Sequence, residues 1–217
     1  YNPLHKREIG RATMRIYSIR KRLLVTGAHR SGIIDEEPNC IPNMLMPKLY
    51  RLVDSDYRTA INHQWMVDGS PSVADIFDGT KWRTILIGGL NGGERGYYAL
   101  DVTDPAKPKG LWELKARTSG SCTFAVNDVD DCDLGFSYGN PILTKLGNGT
   151  WVAMIPSGYN NVNPGDGKGY LYVVNPITGE IRKKIALCST APQVPSICPG
   201  DTTTPLGFAK INNRVAA

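Results

Sequence analysis

The chain has 217 residues with 41% hydrophobic, 21% charged and 8% aromatic side chains, a composition that excludes a disordered polymer and suits a globular core. Gly 23 and Pro 15 punctuate it heavily, which favours short strands and turns over long helices. The formal charge of +5 is unevenly spread, and no apolar stretch is long enough for a membrane-spanning helix.

Residues 1–30 hold Lys6, Arg7, Arg11, Arg15, Arg20, Lys21, Arg22 and Arg30 against the single acid Glu8. The remaining residues are therefore slightly acidic. Such a basic arm suits a nucleic acid or an anionic membrane surface, and salt-sensitive binding would be its signature. The simpler reading, adopted here, is a solvated segment with no nucleic-acid partner. No apolar stretch or small-residue cleavage site follows it, so it does not read as a signal peptide. The chain opens on Tyr1 and closes on Ala217 without terminal signals, and the expectation is a piece of a longer protein.

Residues 41–66 predict a short helical connection. Met44, Leu45, Leu49 and Leu52 share one face at helical spacing, and Pro47 limits the length. That stripe is read as core packing.

An internal repeat follows. Val67-Asp68-Gly69-Ser70-Pro71, Lys81-Trp82 through Gly89, Gly96-Tyr97 through Val102 and Gly110 through Leu114 form a first unit. Tyr138-Gly139-Asn140-Pro141, Thr150-Trp151 through Gly158, Gly169-Tyr170 through Asn175 and Glu180 through Ile185 form a second. Gly69 aligns with Gly139, Trp82 with Trp151 and Gly89 with Gly158. Each unit holds four strand candidates, with turns at Asp78-Gly79, Gly147-Asn148-Gly149 and Asn175 through Gly179. Repeated four-stranded units predict an all-β fold, a β-propeller with blades near 67–115 and 136–187 and the start of another near 205. Two blades leave the ring incomplete in this chain. The domain reading is therefore a basic segment over 1–40 and a partial propeller over 41–217.

Cys122 and Cys132 lie ten residues apart, as do Cys188 and Cys198, both pairs in turn-rich stretches. No Cys-x-x-Cys pair occurs and His5, His29 and His63 are scattered, which argues against zinc. Two local disulfides in an oxidising compartment are the expectation. Cys40 is left over and reads as an incidental thiol.

Candidate sites are sparse. Asn127, Asp128, Asp130, Asp131 and Asp133 offer oxygens, but the spacing fails the EF-hand pattern, and a solvated acidic loop is expected instead of a metal site. Residues 160–167 make a weaker candidate of the same kind. The glycine-rich run Gly88 through Gly96 precedes a strand and not a helix, so it reads as a hairpin connection and not a phosphate cradle. Asp68, Asp75 and Asp101 could pair for glycoside hydrolysis only if the fold brought them together. His63 has no triad context and reads as a packed residue. No residue is assigned as catalytic, and no cofactor site is expected within these residues.

Several segments are shared with a known family. Ile41-Pro42, Pro47-Lys48-Leu49, His63-Gln64 with Val67-Asp68-Gly69-Ser70-Pro71, Trp82 through Gly89, Ala99-Leu100-Asp101-Val102-Thr103-Asp104-Pro105, Asp133 through Pro141 and Ser157-Gly158-Tyr159-Asn160 resemble the C-terminal propeller of PilY-type proteins. These are type IV pilus assembly factors and tip-associated adhesins. The resemblance covers roughly residues 41–215. It implies an exported, non-enzymatic protein of a Gram-negative bacterium, located in the periplasm, at the pilus tip or at the cell surface. It implies minor pilins as partners, support of pilus extension against retraction, and contact with surfaces. It also implies Ca2+ in the full-length protein, at an Asp/Asn loop downstream of this chain. Residues 1–40 lack the preceding propeller strand that the family would show and are read as an atypical or out-of-frame beginning. The alternative is a quinoprotein-like periplasmic oxidoreductase, whose docking motif Ala99-x-Asp101 with Trp112 resembles. The adjacent cysteines of that enzyme family are missing here.

Overall fold

The computed structural model describes residues 41–53, 56–57, 63–187, 200–209 and 211. The expectations for residues 1–40, including Cys40, and for the Cys188–Cys198 pair lie outside the described residues.

A 3-10 helix, Asn43–Val53, opens the described chain with Pro47 inside it. It is long for its kind, and side-chain anchors hold it. Leu45 is fully buried, and Met44, Leu49 and Leu52 pack on the same cluster as Leu86, Leu90, Tyr98, Leu100 and Val102. The Glu113 carboxylate accepts the Asn43 and Met44 amide protons at 2.5 and 3.2 Å, placing an anion at the helix N-terminus. Lys48 donates to the Gly93 carbonyl at 2.7 Å and pairs with Glu94. The expected Met-Leu face is thus the seat of the helix on the first sheet.

That sheet contains β1 (Ser72–Phe77), β2 (Trp82–Gly89), β3 (Gly96–Asp101), β4 (Lys109–Ala116) and β5 (Asp130–Asp131) in sequential order. The second contains β6 (Ile142–Lys145), β7 (Trp151–Pro156), β8 (Tyr170–Val174) and β9 (Ile181–Ala186). All pairings are antiparallel except β4 with β5. The units read from the repeat are therefore the two sheets, two blades of an open propeller. The fifth strand was not expected: two acidic residues carry no strand pattern, and β4 alone recruits them.

Turn chemistry follows the sequence. Gly79, Gly149 and Gly179 have φ of 102°, 86° and 81°, a region that favours glycine. The glycine-rich run joins β2 to β3 as a hairpin connection. Beyond β9, Phe208 forms an isolated bridge with Gly158, as Ser137 does with Asn91 in the first unit.

Alternation along each strand divides the side chains between two cores. One lies under the 3-10 helix. The other fills the space between the sheets, with Ile76, Ile85, Ile87, Tyr97, Ala99, Trp112 and Leu114 facing Ala153, Ile155, Tyr172, Val174 and Ile181. The facing pairs belong to different repeats, so neither sheet buries this surface alone.

The β1–β2 turn carries a pH prediction. The Thr80 hydroxyl, the Arg83 guanidinium and the Thr80 and Lys81 amides all bind the Asp78 carboxylate. Together they hold it far below the usual carboxylate range, the Thr80 hydroxyl most strongly. A lowered folded pKa means that the turn's contribution is present above the unfolded value and lost as pH falls through the folded one. An NMR titration of the Asp78 carboxyl is expected to show a midpoint well below that of a free aspartate near 3.8. A midpoint at the ordinary value would show the turn to be open in solution.

Candidate functional site

The junction between the two sheets concentrates the polar contacts that sequence reasoning could not place. Trp112 projects from β4 with its indole against the backbone of Gly179, where an added Cβ would lie 2.6 Å from Cγ. Its Nε1–H donates to the Pro176 carbonyl at 3.0 Å. A side chain of the first blade is thereby docked on the β8–β9 turn of the second. The docking makes Trp112 a packing element of the blade junction.

Two hydroxyls stitch the junction further. The Ser137 hydroxyl donates to the Gly96 carbonyl at 2.7 Å and accepts from the Leu90 amide at 2.8 Å. The fully buried Tyr97 hydroxyl lies 3.3 Å from the Gly139 carbonyl and 3.4 Å from that of Pro156, and burial raises its pKa far above the usual range. Trp82 and Trp151, equivalent in the repeat, meet edge to face at 6.4 Å.

The acidic run is shared between two cations, and only its later part is buried. Arg117 takes Asp128 at 3.2 Å and Asp130 at 2.7 Å. Asn127 contributes its backbone: its amide donates to the Ile181 carbonyl at 2.9 Å, and the Ile181 amide donates to the Asp128 carbonyl at 2.8 Å. Asp131 and Asp133 are 2% and 7% exposed, which corrects the expectation of a solvated loop for these two. Lys184 of β9 enters between them, with Nζ 2.7 Å from Asp131 Oδ1 and 2.5 Å from Asp133 Oδ2. A buried carboxylate needs such partners, because desolvation alone costs several kcal/mol per ion (order of magnitude).

Neighbouring groups complete the cluster. The Tyr172 hydroxyl and the Asp133 amide each donate to Asp131 Oδ1 at 2.8 Å. The Asp166 amide donates to Asp133 Oδ1 at 2.7 Å, and the Tyr170 hydroxyl donates to Asp166 Oδ2 at 2.8 Å. Asn161, fully buried, donates to the carbonyls of Asp133 and Lys168. Lys184 Nζ lies 4.3 Å from the Tyr170 ring centroid and 5.9 Å from those of Tyr172 and Phe124. Burial pushes the Asp133 carboxyl upward against the pull of Lys184, and burial raises Tyr172 well above its usual range. Among the described residues, no group of three or more His, Cys, Asp or Glu converges on a common centre.

Cys122 and Cys132 are joined by a disulfide, with Cα atoms 5.4 Å apart. The loop it closes contains β5, which pairs with β4 of the first sheet, and bonds through Asn127 and Asp128 to β9 of the second. Other candidates stand apart. Asp75 accepts from the Thr84 hydroxyl at 2.7 Å, Asp101 pairs with Arg83 at 2.9 Å, and the Asp68 carbonyl accepts from Asn91 at 3.1 Å. The exposed His63 ring lies 5.4 Å from that of Tyr57 and 5.0 Å from that of Trp65. Residues 160–167 wrap over Asp133 through Asn161 and Asp166.

Comparison with known proteins adds a second line of observation. A family profile described as the PilY1 β-propeller domain matches residues 32–196. The type IV pilus biogenesis factor PilY1 of Pseudomonas aeruginosa is 40% identical over 146 residues, which is 67% of this chain and 11% of that protein. A PilY1 homolog of Xylella fastidiosa is 33% identical over 148 residues, 67% of this chain and 9% of that protein. The crystal structure of the P. aeruginosa PilY1 C-terminal domain is 39% identical, covers 59% of this chain and 23% of that one, and superposes with a TM-score of 0.46. The chain spans about a tenth of the length of the curated relatives it matches.

Proposed function

The chain belongs to the PilY1 β-propeller family, and from that premise we propose that it forms part of the propeller of a type IV pilus biogenesis factor. The proposed work is mechanical and adhesive: the propeller acts at the pilus tip with minor pilins, supports extension against retraction, and contacts surfaces. The protein is exported, and its propeller acts without catalysis. The relatives' names support the pilus role, and the disulfide-closed loop fits an oxidising compartment outside the cytoplasm. No helix among the described residues is long and apolar enough to cross a membrane.

One observation in the fold carries the mechanical reading. Trp112, Tyr97, Ser137, Lys184 and the Cys122–Cys132 loop are all spent on joining one sheet to the next. A junction whose buried polar groups answer one another, with Asn161 Oδ1 the exception, is built to hold its geometry. Rigid sheets then present their connecting loops as a contact surface.

The test is surface pilin recovered from cells lacking the full-length gene, with and without the retraction motor. Loss of pili that returns when retraction is also removed is the expected result. Normal piliation in both strains would overturn the biogenesis role.

A further inference from the structure

Lys184 stands between two carboxylates in a setting that favours more than an ion pair. Its side chain is 9% exposed, three aromatic rings surround its Nζ, and both aspartates are buried. We propose that Lys184 and Asp133 condense into an intramolecular amide, an isopeptide cross-link between the two sheets, with Asp131 as the proton-transferring group. This assignment goes beyond the pilus reading and does not depend on it.

The geometry brings the reacting groups and a proton acceptor together. The nucleophile and the electrophile are held together, with Nζ 2.5 Å from Asp133 Oδ2, so the bimolecular step is already intramolecular. The rings keep water from Nζ, so a proton leaving it passes to a carboxylate and not to solvent. Transfer of one proton from the ammonium to Asp133 Oδ2 gives a neutral amine and a neutral acid, a pair that a dry site tolerates better than two ions. Asp131 Oδ1, 2.7 Å from Nζ, accepts a second proton as the nitrogen lone pair attacks Asp133 Cγ. Negative charge then develops on Asp133 Oδ1, which already accepts the Asp166 backbone N–H at 2.7 Å. That N–H does the work of an oxyanion donor.

Collapse of the intermediate breaks the Cγ–Oδ2 bond. Asp131 returns its proton to the departing hydroxyl, which leaves as water. One C–N bond forms, one C–O bond breaks and one water is released. No electrons are transferred and no co-reactant is needed. Asp131 ends as it began, an anion held by the Tyr172 hydroxyl and the Asp133 amide. Condensation removes two of the three buried charges from the junction, which relieves the desolvation that burdens the ion cluster.

The cross-link would tie the residue just past Asp131 and Cys132 of the first blade to β9 of the second. It lies next to the Cys122–Cys132 disulfide, so two covalent ties would close one junction, and only one of them would yield to reductant.

The experiment is intact and peptide mass spectrometry of the reduced full-length protein. Wild type is expected to be lighter by one water, with a branched peptide joining the segments of Lys184 and Asp133 and no tryptic cleavage after Lys184. Lys184→Arg keeps the cation but cannot form the amide, and is expected at full mass. Asp131→Asn is also expected at full mass, with both reacting groups present. Recovery of linear Lys184 and Asp133 peptides from wild type, with or without a lost water elsewhere, would overturn the cross-link and leave an ion cluster alone. A branched peptide persisting in Asp131→Asn would overturn the assignment of the proton acceptor.

Discussion

Trp112→Ala is expected to destabilise the folded protein by about 3–5 kcal/mol, the range for truncating a large buried aromatic. The indole fills the junction core beside Ile76, Leu114 and Ile181 and covers the Gly179 backbone. Removing it leaves a cavity whose walls belong to two different sheets, and strand pairing prevents either from collapsing into it. The Pro176 carbonyl also loses its indole donor. Trp112→Phe separates the two contributions: it retains much of the packing and removes the hydrogen bond, for a smaller loss of about 1–3 kcal/mol. Denaturant unfolding of the full-length protein, followed by fluorescence and circular dichroism, checks both. A loss below about 1 kcal/mol for alanine would show that the docking contributes little to the blade junction.

Measured against Lys184→Arg, which keeps the cation and cannot form the amide, Lys184→Met is expected to cost about 3–5 kcal/mol for an electrostatic reason. It removes the cation shared by Asp131 and Asp133 and leaves both carboxylates in a site sealed by Tyr172 and the disulfide loop. Unpaired burial raises the folded pKa of a carboxyl group. Stability from a raised acid is fully present below its unfolded value, near 3.9, and is lost as pH rises through the folded value. The defect of Lys184→Met is therefore expected at neutral pH and relieved on acidification. Combining it with Asp131→Asn and Asp133→Asn should recover most of the loss. A pH-independent defect that the added asparagines fail to reduce would refute the electrostatic account. Lys184→Arg, which retains charge, should fall between wild type and Lys184→Met.

The contrast between these two residues explains what sequence could and could not convey. Trp112 and Gly179 were both visible as punctuation in a repeat, because β-propeller periodicity is written in aromatic, glycine and proline positions. The same periodicity located the strands and the positive-φ turn glycines, and the ten-residue cysteine spacing pointed to the disulfide between Cys122 and Cys132. Lys184 was hidden by geometry. Counting alternately from the buried Ile181 directs Lys183 and Ile185 inward and Lys184 to solvent. An irregularity in the β8–β9 pairing sets Val174 opposite Ile181 and Val173 opposite Lys183, so Tyr172 meets Lys184 on the inner face. One extra residue reverses every side chain beyond it.

Asp131 and Asp133 were misjudged for the same reason. An acidic run reads as solvated unless a buried cation is known to await it, and that cation lies more than fifty positions away. Their separation from Asp128 and Asp130, which go to Arg117, also depends on a strand of two residues with no sequence signature. Long-range electrostatic pairing of this kind exists only after the chain has folded.

The loop closed by Cys122 and Cys132 has a bearing on the order of assembly. It belongs to the first blade by covalent chemistry, but two of its backbone hydrogen bonds await Ile181, some fifty residues further along the chain. A chain emerging from its N-terminus must hold this loop without those partners until β9 arrives. The disulfide closes within the first blade alone, whereas the backbone bonding of its loop is complete only with the next blade in place. The second blade thereby supplies the backbone partners that complete the first.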